Sequence, residues 1–243
     1  MFTMSVSLAE GSRPSLLREK KVVIVDGDRE TWLLRWDKQR TAVCAAEEGD
    51  VSLTCPYSGF AYGQQGDLSL VRLSPGAKSE LLKLGQFFIR DEVPGDGPAV
   101  LQRWPPDFDK DLDAGENDAE IIHTVTGRGQ TDVMKFADYD HDGRPTEFLL
   151  QVGTLLCGKH QMVLVGISKQ HPHLHVFAAV EKPDAPLVPG AWQWESLLRG
   201  RGTVRTIAWS CGDHGSENEW TNSISAENGA IHDIRTNRKC SQS

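Results

Sequence analysis

The chain lacks most of the short patterns that announce a common activity. Its 243 residues contain no run of 18 apolar residues, so no membrane-spanning helix is expected. Its five cysteines include no Cys-x-x-Cys pair, which argues against a zinc knuckle on that spacing. There is no Gly-x-Ser-x-Gly elbow and no His-Glu-x-x-His helix. Thr126-Gly127-Arg128-Gly129 is too short for a phosphate loop and lacks the Lys-Ser/Thr ending. Basic residues are outnumbered by acidic ones, 26 to 34, giving a net charge of −8. That balance argues against nucleic acid and against an anionic membrane surface as partners. Met1 to Lys21 carries no apolar signal core, so no secretory signal is visible there.

What the sequence does have is apolar runs cut short by turns. Of its residues 39% are hydrophobic, and 23 glycines and 12 prolines fall largely between the apolar stretches. Such spacing favours strands over long helices, so an all-β, mostly antiparallel fold is expected. Lys21–Val25 and Thr31–Trp36 read as strands joined through Asp26-Gly27, a strong hairpin signal. Gly66–Leu73 alternates as a half-buried strand, and Glu80–Leu84 suits a strand or one helical turn. Further strands are expected at 147–156, 162–167, 174–180, 203–209, 221–226 and 230–236, the last two turning at Glu227-Asn228-Gly229. Trp192 to Leu198 fits a short helix or an edge strand. Residues 1–20 read as a flexible lead-in and 21–90 as an N-terminal β segment. Residues 91–118 read as an acidic, Pro- and Gly-rich linker, and 119–243 as a C-terminal β segment.

The densest chemistry lies at Asp138-Tyr139-Asp140-His141-Asp142-Gly143-Arg144-Pro145-Thr146-Glu147. Carboxylates at alternate positions followed by a glycine are the grammar of a hard-cation loop, because calcium takes six to eight oxygens. Gly143 permits the sharp turn with positive φ. An EF-hand needs a bidentate Glu at position twelve; counting from Asp138, that position is Leu149.

The loop instead resembles the calcium loops of FG-GAP and VCBS-type repeats of integrin-like β-propellers, over roughly residues 131–170. The resemblance implies a degenerate propeller-like array, with a two-sheet β-sandwich as the alternative. It also implies calcium held by Asp138, Asp140 and Asp142 and by the carbonyl of Arg144. The family closes its loop with an acid at position nine, which is Thr146 here. Glu147 follows one residue later and is the candidate closing ligand.

Other groups are less specific. His171, His173 and His175 at period two would share one face of a strand, and two of them with a third ligand could hold zinc. Pro172 points instead to a turn with solvated histidines. Cys157, with Lys159 and His160 nearby, reads as a turn cysteine. Cys44–Cys55 and Cys211–Cys240 are expected disulfides, with Cys157 free. Asp-Gly loops near residues 26, 142 and 213 suggest a faint, irregular repeat, for which the alternative is plain reuse of a favourable turn.

The cysteines and the calcium-type loop favour a periplasmic or extracellular protein with its signal upstream of Met1; a cytoplasmic protein is the alternative. The expected function is a non-catalytic binding or structural module for a protein or carbohydrate ligand. A secreted hydrolase of sugars or esters is the alternative, since paired acids and seven tryptophans could serve sugars.

Overall fold

A computed structural model describes residues 16–43, 63–90, 93–94, 99–102, 127–154, 160–200, 202–212 and 215–240. In chain order the strands begin with β1 (Leu17–Val25), β2 (Asp28–Trp36), β3 (Thr41–Val43), β4 (Gly63–Gly66), β5 (Leu68–Leu73) and β6 (Glu80–Lys83). A 3-10 turn at Gly85–Phe87 leads to β7 (Ile89–Arg90), β8 (Val93–Pro94) and β9 (Ala99–Gln102). After the Asp-rich loop come β10 (Glu147–Thr154), β11 (His160–Gly166), β12 (His175–Val176), β13 (Ala178–Ala179) and β14 (Lys182–Pro186). Helix α1 (Ala191–Arg199) precedes β15 (Val204–Trp209), β16 (Asn218–Glu227) and β17 (Ala230–Lys239).

All described pairings are antiparallel. The sheets run β1-β2-β5-β6, β3-β4-β9, β10-β11-β12 and β15-β16-β17, with β7-β8 and β13-β14 as two-stranded pairs. Among the described residues none closes into a barrel. The fold is therefore all-β, with α1 as the α-helix among the described residues.

Alternation sets the faces of the first sheet. Along β2, Glu30, Trp32, Leu34 and Trp36 point inward, while Val22 and Ile24 of β1 stay half exposed on the other side. Asp26 (φ 52°) and Gly27 (φ 95°) make the two-residue turn between β1 and β2, with Val25 opposite Asp28. Two left-handed residues match the twist of such a hairpin.

The β10–β11 hairpin is the middle layer. Phe148, Leu150, Val152, Val163 and Val165 pack into a core shared with Val23, Trp32, Leu34, Trp36 and Leu70. Leu164, from the opposite face, joins Tyr139, Phe177, Trp194, Leu197, Ile224 and Ile231 in a second core. Covered on both faces, these strands read as continuous apolar runs and not as alternating ones. The first core draws on both of the expected β segments, 21–90 and 119–243. Edge-to-face contacts join them: Phe136 meets Trp32 at 5.2 Å and Phe148 at 5.5 Å between ring centroids.

Two boundaries need correction. The lead-in does not extend to residue 20, because β1 starts at Leu17. Its charged residues are tie points: Arg18 donates to the Thr131 carbonyl at 2.5 Å, and Glu19 accepts from the Val133 amide at 2.7 Å. The stretch from 91 is not wholly linker, since Ala99–Gln102 pairs with β4 and buries Ala99 and Leu101. Residues 103–126 lie outside the described residues, as do Cys44, Cys55 and Cys157. Cys211 and Cys240 do pair, with Cα atoms 5.7 Å apart, tying the end of β15 to the end of β17.

Candidate metal centre

The Asp-rich loop is closed at its base by an isolated bridge between Ala137 and Glu147, whose backbones exchange hydrogen bonds of 2.9 and 3.4 Å. His141 (φ 56°) and Gly143 (φ 90°) turn the chain between them. Within the loop, Asp140 Oδ1 accepts from the Asp142 amide at 3.1 Å and Asp138 Oδ2 from the Gly143 amide at 3.1 Å. Each aspartate thus uses one oxygen to shape the loop and leaves the other without a partner.

Oxygens of Asp138, Asp140 and Glu147 lie within 4.8 Å of one another, the one such convergence of metal-capable groups among the described residues. Asp140 and Glu147 are fully buried. Asp138 Oδ1 and Asp140 Oδ2 are shielded from solvent and have no hydrogen-bond partner. Glu147 Oε2 accepts from the Tyr139 amide at 3.0 Å, and its Oε1 lies 2.6 Å from the Thr146 hydroxyl.

The backbone must approach closely to bring Glu147 here. Gly166 lies opposite Glu147 across the hairpin, and a Cβ there would sit 2.4 Å from the Thr146 carbonyl oxygen. No side chain is tolerated at that distance.

Burial, followed by the charge of Asp142, pushes the Asp140 carboxyl up to about 7. Burial, followed by the charge of Asp140, pushes Glu147 up to about 9. The physical cause is the same for both: a carboxylate removed from water beside other carboxylates favours its neutral form.

The other expected ligands are placed differently. The carboxylate of Asp142 is occupied by the amides of Arg144 at 2.8 Å and Lys169 at 2.6 Å, and its carbonyl accepts from the Lys169 ammonium. The carbonyl of Arg144 accepts from the Thr146 amide at 3.0 Å, while its guanidinium reaches Asp26 at 2.6 Å. The structure therefore gathers Asp138, Asp140 and Glu147 and sets Asp142 and Arg144 to brace them. The one-residue offset of the closing acid is absorbed by the bridge at Ala137, with Thr146 turned to the Ile167 carbonyl at 2.9 Å.

The loop touches several neighbours that the sequence did not connect with it. Gly229 donates its amide to the Asp140 carbonyl at 3.0 Å, and the ring of His141 bonds the Leu197 carbonyl at 2.9 Å. The Asn228-Gly229 turn was legible as a turn, but nothing in the sequence placed it against Asp140. The three histidines do not form a centre. His171 and His175 face each other at 5.4 Å between centroids, whereas His173 turns to Glu80 at 3.3 Å. The Asp-Gly loops also differ in build: residues 26–27 form a tight hairpin turn and 138–146 a wide loop, so their likeness is one of turn chemistry.

Compared with protein-family models, curated proteins and solved structures, the chain matches none. The resemblance to FG-GAP loops accordingly rests on the loop residues alone.

Proposed function

We propose that this chain is a non-catalytic, exported binding or structural module whose Asp-rich loop is stiffened by calcium. One observation carries the reading: Asp138, Asp140 and Glu147 each bring an oxygen within 4.8 Å of the others, and Asp138 Oδ1 and Asp140 Oδ2 are buried with no donor to satisfy them. Buried carboxylates without partners are costly, and a divalent cation offsets all three at once. The donor set is entirely hard oxygen, which fits calcium and not a soft metal. The ends of Asp138, Asp140 and Glu147 would hold the ion, and the backbone amides around them would fix their directions.

The position of the loop supports a stiffening role. It contacts the β1–β2 turn through Asp26, the β16–β17 turn through Gly229, and the end of α1 through Leu197. The burial of Asp140 and Glu147 leaves no opening for a substrate between them, which favours a module over a hydrolase. The propeller-like arrangement belongs to the same proposal, supported by the presence of several small antiparallel sheets in place of two large ones. Export is supported by the Cys211–Cys240 pair.

The test is thermal unfolding in chelator, in calcium and in magnesium. At a hundredfold excess over Kd, calcium should stabilise the fold by about 2.7 kcal/mol. Asp140→Asn should remove that gain while folding normally in chelator. A wild-type melting curve that ignores calcium would overturn the reading.

A further inference from the structure

We propose that the outer edge of β17, from Arg235 to Lys239, takes an extended acidic segment of a partner protein as an added strand. The inference rests on the chain being a binding module and gives that module its binding surface. It uses no residue of the Asp-rich loop.

Alternate residues of an antiparallel strand turn their backbone groups toward one neighbour and then the other. Two bonds show which residues of β17 turn away from β16. The Ile231 carbonyl accepts from the Val180 amide at 2.8 Å, and the Asp233 amide donates to Glu181 at 2.9 Å. The β16–β17 register continues without a shift, so Arg235, Asn237 and Lys239 turn the same way. On that outer side their amides and carbonyls meet no partner among the described residues. Every residue from Ile234 to Lys239 is exposed. A row of open donors and acceptors at strand spacing is matched by an extended polypeptide.

The first half of this edge already holds an acid of the chain itself. Glu181 accepts from the Asp233 amide and pairs with His232 at 2.7 Å. The second half offers the same backbone groups and adds cations. From Ile234 to Ser243 the sequence carries Arg235, Arg238 and Lys239 and no acid, in a protein of net charge −8. Arg238 is spent on Glu219, at 2.7 Å. Arg235 and Lys239 share the opposite face of the strand, where the nearest acid of β17, Asp233, lies in the fields of Lys182 and Arg235. Salt screens repulsion from the acidic remainder beyond about 8–10 Å.

These charges also choose between occupants. A second copy pairing antiparallel about Asn237 would set Arg235 of one copy against Lys239 of the other, like charges directly opposite. Basic residues on an edge deter such strands and attract acidic ones. The edge is set before a partner arrives. The Arg235 guanidinium sits over the Trp220 ring at 4.4 Å, and the Cys211–Cys240 disulfide ties down the end of the strand.

The experiment is an NMR titration of the whole chain, in calcium and again in chelator, with amide exchange read at Arg235, Asn237 and Lys239. The probe is a short synthetic peptide of alternating glutamate and threonine. The comparators are the same peptide with lysine for glutamate, the same peptide with proline for threonine, and polygalacturonate, an anionic polymer without a peptide backbone. The acidic peptide should saturate and slow exchange at the three amides, and no comparator should. Arg235→Glu combined with Lys239→Glu should weaken binding by about tenfold or more. Asn237→Pro should weaken it by about fivefold, because proline removes one outward donor and is tolerated on an edge. The charge-reversed variant changes only exposed side chains, so it reports binding even if Asn237→Pro unfolds. Peptide binding by a protein whose melting ignores calcium supports this edge and removes the calcium reading alone. Calcium stabilisation without protection of these amides by the acidic peptide overturns this inference alone. Equal binding of any comparator, or affinity unchanged in the charge-reversed variant, would also overturn it.

Discussion

Two buried acidic sites in this protein are handled in opposite ways. Glu30, on β2, is buried, and its carboxylate receives two bonds from Arg72, at 2.6 and 2.7 Å, with Ser74 and Trp32 adding one each at 2.8 and 3.1 Å. Burial pushes this carboxyl up, but the bonds from Arg72, Ser74 and Trp32 together outweigh it and hold it below the ordinary value. Asp140 and Glu147 are buried as deeply, but among the groups shifting them no cation appears, and both are raised. The chain supplies its own guanidinium at one site, and at the other only backbone amides and a hydroxyl donate to the carboxylates. A buried charge is stable only when paired, so the difference locates the place where an external cation belongs.

The comparison breaks most visibly at Arg72. Arg72→Met leaves Glu30 buried without its cation and should cost about 3–5 kcal/mol of stability, measured by urea unfolding. Calcium should not recover this loss beyond the gain it gives the wild type, because Glu30 is no part of the loop. Arg72 also holds the Pro172 carbonyl at 2.5 Å and Glu80 at 3.1 Å, so the segment 172–174 should loosen as well, read by faster amide exchange at Leu174.

The two sites should also differ in the sign of their pH dependence. For Asp140 and Glu147 the folded state binds protons more tightly than the unfolded chain. In chelator their contribution is therefore fully present below the unfolded values, 3.8 and 4.5, and is lost as pH rises through about 7 and then about 9. Glu30 acts oppositely: its contribution is present above its unfolded value of 4.5 and is lost as pH falls through the lower folded value. Unfolding in chelator should show stability falling by a few kcal/mol from mildly acidic to alkaline pH. Calcium should flatten that fall, and Asp140→Asn should reduce it. A metal-free protein equally stable across this window would remove the contrast between the sites.

The smallest effect should come from the surface brace of the loop. Arg144→Ala removes a pair with Asp26, whose side chain is 62% exposed. The loss should be about 1 kcal/mol or less, with the calcium response retained. A calcium response abolished by Arg144→Ala would mean that the brace, and not the acidic cluster, governs the loop.

Much of this architecture was legible because it is local. Asp26-Gly27 and Asn228-Gly229 specify two-residue turns by their tolerance of positive φ, and both hairpins form there. The apolar run from Phe148 to Val152 marked a strand buried on both faces. The alternating acids Asp138, Asp140 and Asp142 marked the loop as a candidate cation site, but their period did not separate Asp142, which stays out of the cluster, from the other two. What could not be read depends on contacts between distant residues. The amide of Lys169 takes the carboxylate of Asp142 away from the cluster, 27 residues apart in sequence. Glu147 reaches the cluster because Gly166 lets two backbones approach, a requirement that appears only once β10 and β11 are paired. Charged Arg18 and Glu19 looked like a solvated lead-in because their partners lie beyond residue 130.

The central claim is that a cation held by Asp138, Asp140 and Glu147 replaces the protons that Asp140 and Glu147 carry without it. It is tested most directly by calorimetric titration of calcium at neutral pH in two buffers of different ionisation enthalpy. The account predicts binding with release of about one to two protons per ion, because Asp140 and Glu147 are partly or wholly protonated there without metal. Asp140→Asn should abolish the binding. No binding heat, or binding whose heat is the same in both buffers, would contradict the account.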